Sequence, residues 1–290
     1  MSLRGTFFVA TLLLSGPLAL RADTVYYPNF SSTSGLTFVG STTTTTTGDG
    51  TVLRVVPASS GQAGAAYSTT PVTLGSGNSF STQFQFRITD PGGIDPADGI
   101  TFVLSAGSSG LGGAGGGIGY GGVNNSVAIE FDTYQNGEYG DPNDNHVGID
   151  VDGNLDSAIT ATPYGQGSCD TRGGYIAGCM SNGDIWTALI TYDGTDLTVA
   201  LTDGNGVTQN LLDYGIDVGS YLGTNTAYVG FTGGTGSGFE NEDILNWEFS
   251  NTSTLPPPPP PSTPEPGSLV LLGSGLSGVA ALMRRRMRRS

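Results

Sequence analysis

Glu130 and Asp132 stand two residues apart in Val127-Ala128-Ile129-Glu130-Phe131-Asp132. On an extended chain, side chains two apart share a face, so these carboxylates lie side by side. Two like charges in that position repel, and a bound cation relieves them. The chain next supplies Asn136 and Asp141, both oxygen donors, and then its single histidine, His146, at the head of Val147-Gly148-Ile149-Asp150. Carboxylates with an amide oxygen suit calcium; carboxylates with an imidazole suit manganese or another transition ion. Asp132 and Asp141 could serve two cations at once. On these residues alone, metal binding stands level with a second reading, a solvated acidic loop.

Strands must hold these groups. In Phe80-Ser81-Thr82-Gln83-Phe84-Gln85-Phe86-Arg87-Ile88 the residues Phe80, Phe84, Phe86 and Ile88 fall on one face, and Leu197-Thr198-Val199-Ala200-Leu201 alternates likewise. Ile100 to Leu104 and Val127 to Phe131 are nearly continuous apolar runs, as expected of strands in a sandwich interior. Asp193-Gly194 and Asp203-Gly204-Asn205-Gly206 mark turns. With 48 glycines, frequent threonine and 12% charged residues, the composition excludes an all-α fold. The prediction is an all-β protein, a sandwich of two antiparallel sheets, in one large domain over residues 23–253.

Every basic residue is an arginine, and only Arg54, Arg87 and Arg172 lie in the interior, against 25 acids between Asp23 and Glu265. So acidic a surface repels phosphate backbones, which makes nucleic acid a poor partner and leaves divalent cations and neutral ligands. Arg4, the apolar run Phe7 to Leu14 and the small residues up to Ala22 have the layout of a secretory signal peptide over residues 1–22. Cys169 and Cys179, the only cysteines, lie in a glycine-rich stretch, and in an exported chain they are expected to form a disulfide that holds a loop.

The other end is also segmented. Residues 254–266 form a proline-rich linker: Pro256 to Pro261 make a stiff spacer, and Pro264-Glu265-Pro266 follow. The apolar stretch 267–283 is at the short limit for a transmembrane helix, and the arginines of 284–290 would stay cytoplasmic. Read by membrane logic alone, the helix could also be a permanent anchor. Together the three parts resemble the PEP-CTERM sorting signal of Gram-negative bacteria. That resemblance implies transient inner-membrane anchoring, an exosortase-type sorting protease that cuts near Pro264 to Pro266, and release to, or attachment at, the cell surface or extracellular matrix.

Glu130-Phe-Asp132-Thr-Tyr134-x-Asn136, Asp141-Pro142 and His146-Val-Gly-Ile-Asp150 resemble the metal-binding signature of the legume-type, or L-type, lectins. The similarity continues through Phe80 to Phe86, Ala97-Asp98-Gly99, the glycine loop Gly115 to Gly119, Val229 to Gly236, and Ile244 to Phe249. It implies a concanavalin A-like jelly-roll sandwich. It assigns Glu130, Asp132, Asp141 and His146 to a manganese-type site; calcium takes Asp132, Asn136, Asp141 and the backbone carbonyl of Tyr134. Asp98 and Asn136 resemble side chains that bond sugar hydroxyls, Gly116 a backbone N–H donor, and the Tyr134 ring a stacking platform. A cis peptide between Ala97 and Asp98 is also implied. A pyranose suits such a set, because its hydroxyls donate and accept while its C–H patch packs on an aromatic face. Two departures stand out: Gly117 replaces an aromatic often found in the glycine loop, and Gly233 to Gly238 is a glycine-rich version of the loop that sets sugar choice.

Three functions compete. A calcium- and manganese-dependent lectin for glycans or exopolysaccharide leads, and a sheet edge would allow a homodimer. A structural or adhesive matrix protein would keep the fold and calcium without binding sugar. A glycoside hydrolase of this sandwich would need Glu-x-Asp-x-x-Glu, and Gln135 stands where the second glutamate is required, so no catalytic residue is assigned and the chain is read as a binder.

Overall fold

Alternation governs the strands. Phe80, Phe84, Phe86 and Ile88 are all buried, while Gln83, Gln85 and Arg87 reach toward solvent. The computed structural model describes residues 24–255, and in them sixteen strands follow one another. First come β1 (Thr24–Tyr27), β2 (Leu36–Gly40), β3 (Thr43–Thr47), β4 (Gly50–Val56), β5 (Ala63–Ser68), β6 (Val72–Thr73), β7 (Phe80–Gly93) and β8 (Gly99–Ser105). After a glycine-rich segment come β9 (Ser126–Asp132), β10 (His146–Val151) and β11 (Ile159–Ala161). The last strands among the described residues are β12 (Ile185–Tyr192), β13 (Asp196–Thr202), β14 (Thr208–Gly215), β15 (Thr226–Gly234) and β16 (Gly238–Ser250).

These make two antiparallel sheets, as predicted. One runs β14-β13-β12-β7-β16-β4-β3 with β1 beside β16; the other runs β11-β10-β9-β8-β15-β5-β2 with β6 beside β15. The turns read from sequence join β12 to β13 and β13 to β14. Asp193 and Asp203 close them by accepting backbone N–H bonds two to four residues ahead.

Between the sheets lies an aromatic core. Phe84 meets Phe231 edge to face at 4.9 Å, and Phe231 meets Trp247 the same way at 5.0 Å. Each side chain of this kind contributes about 1.5–3 kcal/mol on burial. Val127, Ile129 and Phe131 of β9 enter this core. Yet every residue of β9 is buried, so its opposite face, carrying Ala128, Glu130 and Asp132, must be covered as well. The cover is the glycine-rich segment: Ile118, Tyr120 and Val123 pack there with Ala65, Val103, Ala128 and Leu155. The Tyr120 hydroxyl bonds Ser126 at 2.9 Å and pins the segment down. The continuous apolar run of β9 thus reflects one sheet on one side and a loop on the other.

Cys169 and Cys179 are bonded, as expected, with Cα atoms 5.6 Å apart. Among the described residues no helix is long and apolar enough to cross a membrane. The signal peptide over 1–22, the transmembrane helix over 267–283, the arginine tail over 284–290 and most of the linker over 254–266 fall outside the described residues.

Candidate functional site

The acidic face begins where β9 and β10 pair. Their register sets His146 opposite Asp132 and Gly148 opposite Glu130. Glycine at position 148 leaves room for the Glu130 carboxylate and the Ser157 hydroxyl, which a Cβ there would push aside. The loop between the strands folds back and brings Asp141 in. His146 Nε2 then lies 3.2 Å from Glu130 Oε1 and 3.7 Å from Asp141 Oδ1, and Nδ1 lies 4.0 Å from Asp132 Oδ1. Ligand atoms of Glu130, Asp132 and His146 all fall within 4.8 Å of one another, and all three residues are buried.

The histidine is oriented for a ligand. Its Nδ1 sits 2.9 Å from the Asn143 carbonyl, so Nδ1–H donates there and the neutral ring presents the Nε2 lone pair to Glu130 and Asp141. A lone pair facing carboxylates is unfavourable unless something positive lies between, and Nε2 is buried without a hydrogen-bond partner. The titration of the group says the same. Burial alone would lower the His146 pKa, but Glu130 and Asp141 outweigh it and the net change is upward. Burial, reinforced by Glu130 and Asp141, pushes Asp132 well above the usual carboxylate range. Burial also raises Asp141 to about 6, against the pull of the Asn136 N–H and His146. The cluster therefore lacks positive charge, and divalent cations would supply it in place of protons.

The calcium-type donors lie in the same loop. Asp132 Oδ1 accepts the Tyr134 N–H at 2.7 Å, and Asp141 Oδ2 accepts the Asn136 N–H at 2.6 Å. Asn136 Oδ1 is buried and unpartnered. Oxygen donors of this kind, with an orphaned amide oxygen among them, fit calcium.

Asp98 follows a cis peptide from Ala97, as the resemblance implies. Its N–H donates to the Gly234 carbonyl and its own carbonyl accepts the Thr133 N–H, both at 3.0 Å, which ties it to the strand end carrying Asp132. The residue is 3% exposed, its carboxylate Oδ2 is unpartnered, and burial raises the carboxyl to about 7. The glycine loop is bonded to the same neighbourhood through Gly115 N–H and the Thr235 carbonyl at 2.9 Å. A Cβ at Gly116 would lie 2.5 Å from Asn136 Nδ2, so only glycine lets the loop backbone rest on that amide. Tyr134 is half-buried beside them.

The structure thus gathers Glu130, Asp132, Asp141 and His146, ties Asp98 to Thr133 beside Asp132, and rests Gly116 on Asn136. Reasoning from sequence missed Glu240 and Glu242, both fully buried on β16. Glu240 Oε1 accepts the Thr133 hydroxyl, and Glu242 Oε1 accepts the Gly99 N–H at 3.0 Å. The signal was available, since Glu240-x-Glu242 shows the spacing that drew attention to Glu130 and Asp132. It also missed Ser157, whose hydroxyl lies 2.7 Å from both Glu130 Oε1 and Asp150 Oδ1.

The chain is similar to known lectins in sequence and in fold. Among curated relatives, a bark lectin of Styphnolobium japonicum is 36% identical over 60% of this chain and 62% of its own. A lectin-like protein of Arabidopsis thaliana is 32% identical over 65% of this chain and 74% of its own. A probable L-type lectin-domain receptor kinase from the same plant is matched over only 27% of its length, so the chain spans less than two thirds of some relatives. Among solved structures, a Bauhinia forficata lectin in complex with GalNAc superposes with a TM-score of 0.64 at 28% identity, covering 81% of this chain and all of that one. A metal-free form of Griffonia simplicifolia lectin I-B4 gives 0.65 at 28% identity, covering 79% and 98%. The two sheets are thus the concanavalin A-like jelly-roll sandwich. Residues 262–288 match the PEP-CTERM protein-sorting motif. Residues 23–265 match the legume lectin domain, and with the acidic face, the cis turn at Asp98 and the glycine loop in place, the chain belongs to the legume lectin family.

Proposed function

We propose that this chain is an exported bacterial carbohydrate-binding protein whose sugar site depends on calcium and a manganese-type ion. One observation carries the reading: His146 Nε2, Asn136 Oδ1 and Asp98 Oδ2 are three buried acceptors without partners on one face, and buried acceptors of that kind require ligands. Glu130, Asp132, Asp141 and His146 would hold the transition ion; Asp132, Asn136, Asp141 and the Tyr134 carbonyl would hold calcium. The ions supply positive charge where the acids have none. Asp132 and Asp141 are common to both sets, and Asn136 lies between them in the loop, so the ions fix the amide that meets the sugar. Asp98 and Asn136 then receive and donate hydroxyl bonds, the Gly116 N–H adds a donor, and the Tyr134 ring packs on the sugar's C–H face.

Residues 23–253 form the binding domain in this reading. The signal peptide, proline-rich linker, apolar helix and arginine tail carry it through the inner membrane of a Gram-negative bacterium to an exosortase-type protease, and the domain is displayed at the surface or in the matrix. Glycans or exopolysaccharide are its partners, and a homodimer would form through a sheet edge. No hydrolytic role is assigned, because Gln135 cannot transfer a proton and its amide is engaged with the Asp141 carbonyl at 3.1 Å.

A matrix role without sugar is the second reading, motivated by the bare loops at Gly117 and Gly233 to Gly238. Glycan-array binding with calcium and manganese, repeated with chelator, separates the two. Chelator-sensitive capture of defined glycans supports the lectin. Folded protein that takes up calcium and captures nothing leaves the matrix role.

A further inference from the structure

Asn145, immediately before His146, is completely buried. Its side-chain amide is saturated by a single loop: Nδ2 donates to the carbonyls of Gln166 at 2.8 Å and Gly178 at 3.0 Å, and Oδ1 accepts the Met180 N–H at 3.0 Å. Those three partners flank Cys169 and Cys179, so the amide plugs the neck of the loop that the disulfide closes. The two preceding residues hold the same segment. Asp144 Oδ2 accepts the Cys169 N–H at 3.1 Å, and Asn143 Nδ2 donates to the Thr162 hydroxyl at 2.6 Å. The Asn143 carbonyl in turn receives His146 Nδ1–H.

The far side of the loop is fastened too. Arg172 reaches the Gly93 carbonyl at 2.8 Å and Asp95 at 3.1 Å, just ahead of the turn at Asp98. Residues 133–145 and 162–184 contain no strand, so neither segment is held in a ladder of its own. Residues 143–145 take their side-chain bonds outside their own segment from residues 162–180. Without the cross-link, the carbonyls of Gln166 and Gly178 are free to part, and the Asn145 amide loses both acceptors at once.

We propose that the disulfide-closed loop fixes the metal-site histidine, acting through Asn145 as the positioning residue. This rests on the metal-site reading above, and it makes a distinction that reading does not. The calcium-type donors Asp132, Asn136 and Asp141 all precede the clamped segment, whereas His146 follows it directly, so loosening the clamp falls on the transition ion more than on calcium.

The test uses the full chain, its Cys169→Ser/Cys179→Ser variant and, separately, Asn145→Ala. Amide exchange over residues 143–147 is followed in metal-free protein, and Mn2+ and Ca2+ are titrated by calorimetry. The expected result is exchange about tenfold faster over 143–147, with β12 and β13 unchanged. With it, Mn2+ affinity falls about 10- to 100-fold, the range for partners that orient a ligand, and Ca2+ affinity falls less. Unchanged exchange, or faster exchange with Mn2+ affinity intact, overturns the proposal. An equal loss for both ions also overturns it, since that is a general structural effect. Should the cysteine variant not fold, wild-type protein reduced with dithiothreitol in metal-free buffer replaces it for exchange, and Asn145→Ala decides the affinities. Should the wild type bind no Mn2+, the metal-site reading fails, and exchange alone then decides whether the loop clamps residues 143–147.

Discussion

Two pairs of buried acids, spaced alike on two strands, meet different fates. Glu130 and Asp132 on β9 are 2% and 3% exposed; Glu240 and Glu242 on β16 are fully buried. Around the first pair, His146 at the head of β10 brings Nε2 to 3.2 Å from Glu130, and Asp141 comes within 3.7 Å of the same nitrogen. Around the second, only single donors arrive, the Thr133 hydroxyl and the Gly99 N–H, and each glutamate keeps one oxygen without a partner. Burial raises Glu240 to about 8, and burial together with Glu240 raises Glu242 well above the carboxylate range. The β16 pair therefore manages its charge with protons near neutral pH, whereas the β9 pair faces the unpartnered His146 Nε2, which also lies close to Asp141, a set of donors suited to a cation. Equal spacing on a strand fixes which acids are neighbours. Donors from elsewhere in the chain fix what they bind.

Breaking the first pair should have the largest effect. Asp132→Ala removes a carboxylate common to both ion sets, and Ca2+ and saccharide affinity should fall beyond the ~100-fold at the top of the range for outer partners; calorimetric titration of each checks it. Gly116→Ala leaves the acids alone and crowds the Asn136 amide. Overpacking of that kind costs about 1–3 kcal/mol, so saccharide affinity should drop roughly 5- to 150-fold while both ions still bind, and a variant that lost the ions first would show that the glycine loop is part of the metal shell. The smallest effect belongs to the second pair. Because Glu240 and Glu242 bind protons more tightly folded than unfolded, metal-free protein should lose stability as pH rises from about 4.5, the ordinary glutamate value, through about 8. Glu242→Gln should raise the melting temperature by several degrees at pH 8.5 and leave it nearly unchanged at pH 5. An equal shift at both would show that packing, not charge, governs the pair.

Much of this was legible in the residues. The alternation of β7 and β13, the turns at Asp193 and Asp203, and the acids of β9 all follow from rules that act within a few residues. The cysteine pairing was legible because the chain has only two. What escaped depends on distant chain. Nothing near Glu240 announces that Thr133 and Gly99 will be its roof and its neighbour's partner. The burial of Asn145 likewise depends on where residues 166–180 come to rest. The continuous apolar run of β9 was read as sandwich interior, yet half of its cover is a loop of glycines that carries little hydropathy signal. Glu240-x-Glu242 was overlooked for a simpler reason, since it lies beside Asp243 in an acidic chain where another carboxylate looks like solvent exposure.

The register of the second sheet has a consequence for synthesis. β8, which leads out of the Asp98 turn, is hydrogen-bonded on one side to β9 and on the other to β15, and Glu242 of β16 caps the N–H of Gly99. More than a hundred residues separate Asp98 from these last partners, so ribosomes finish nearly the whole domain before the turn can be seated. A chain that stops short of β16 leaves that turn without its C-terminal partners, however well its earlier strands pair. If the proposed ligand binding holds, capture by this face would report that translation has passed β16, and an affinity column charged with ligand would discard chains that end before that strand.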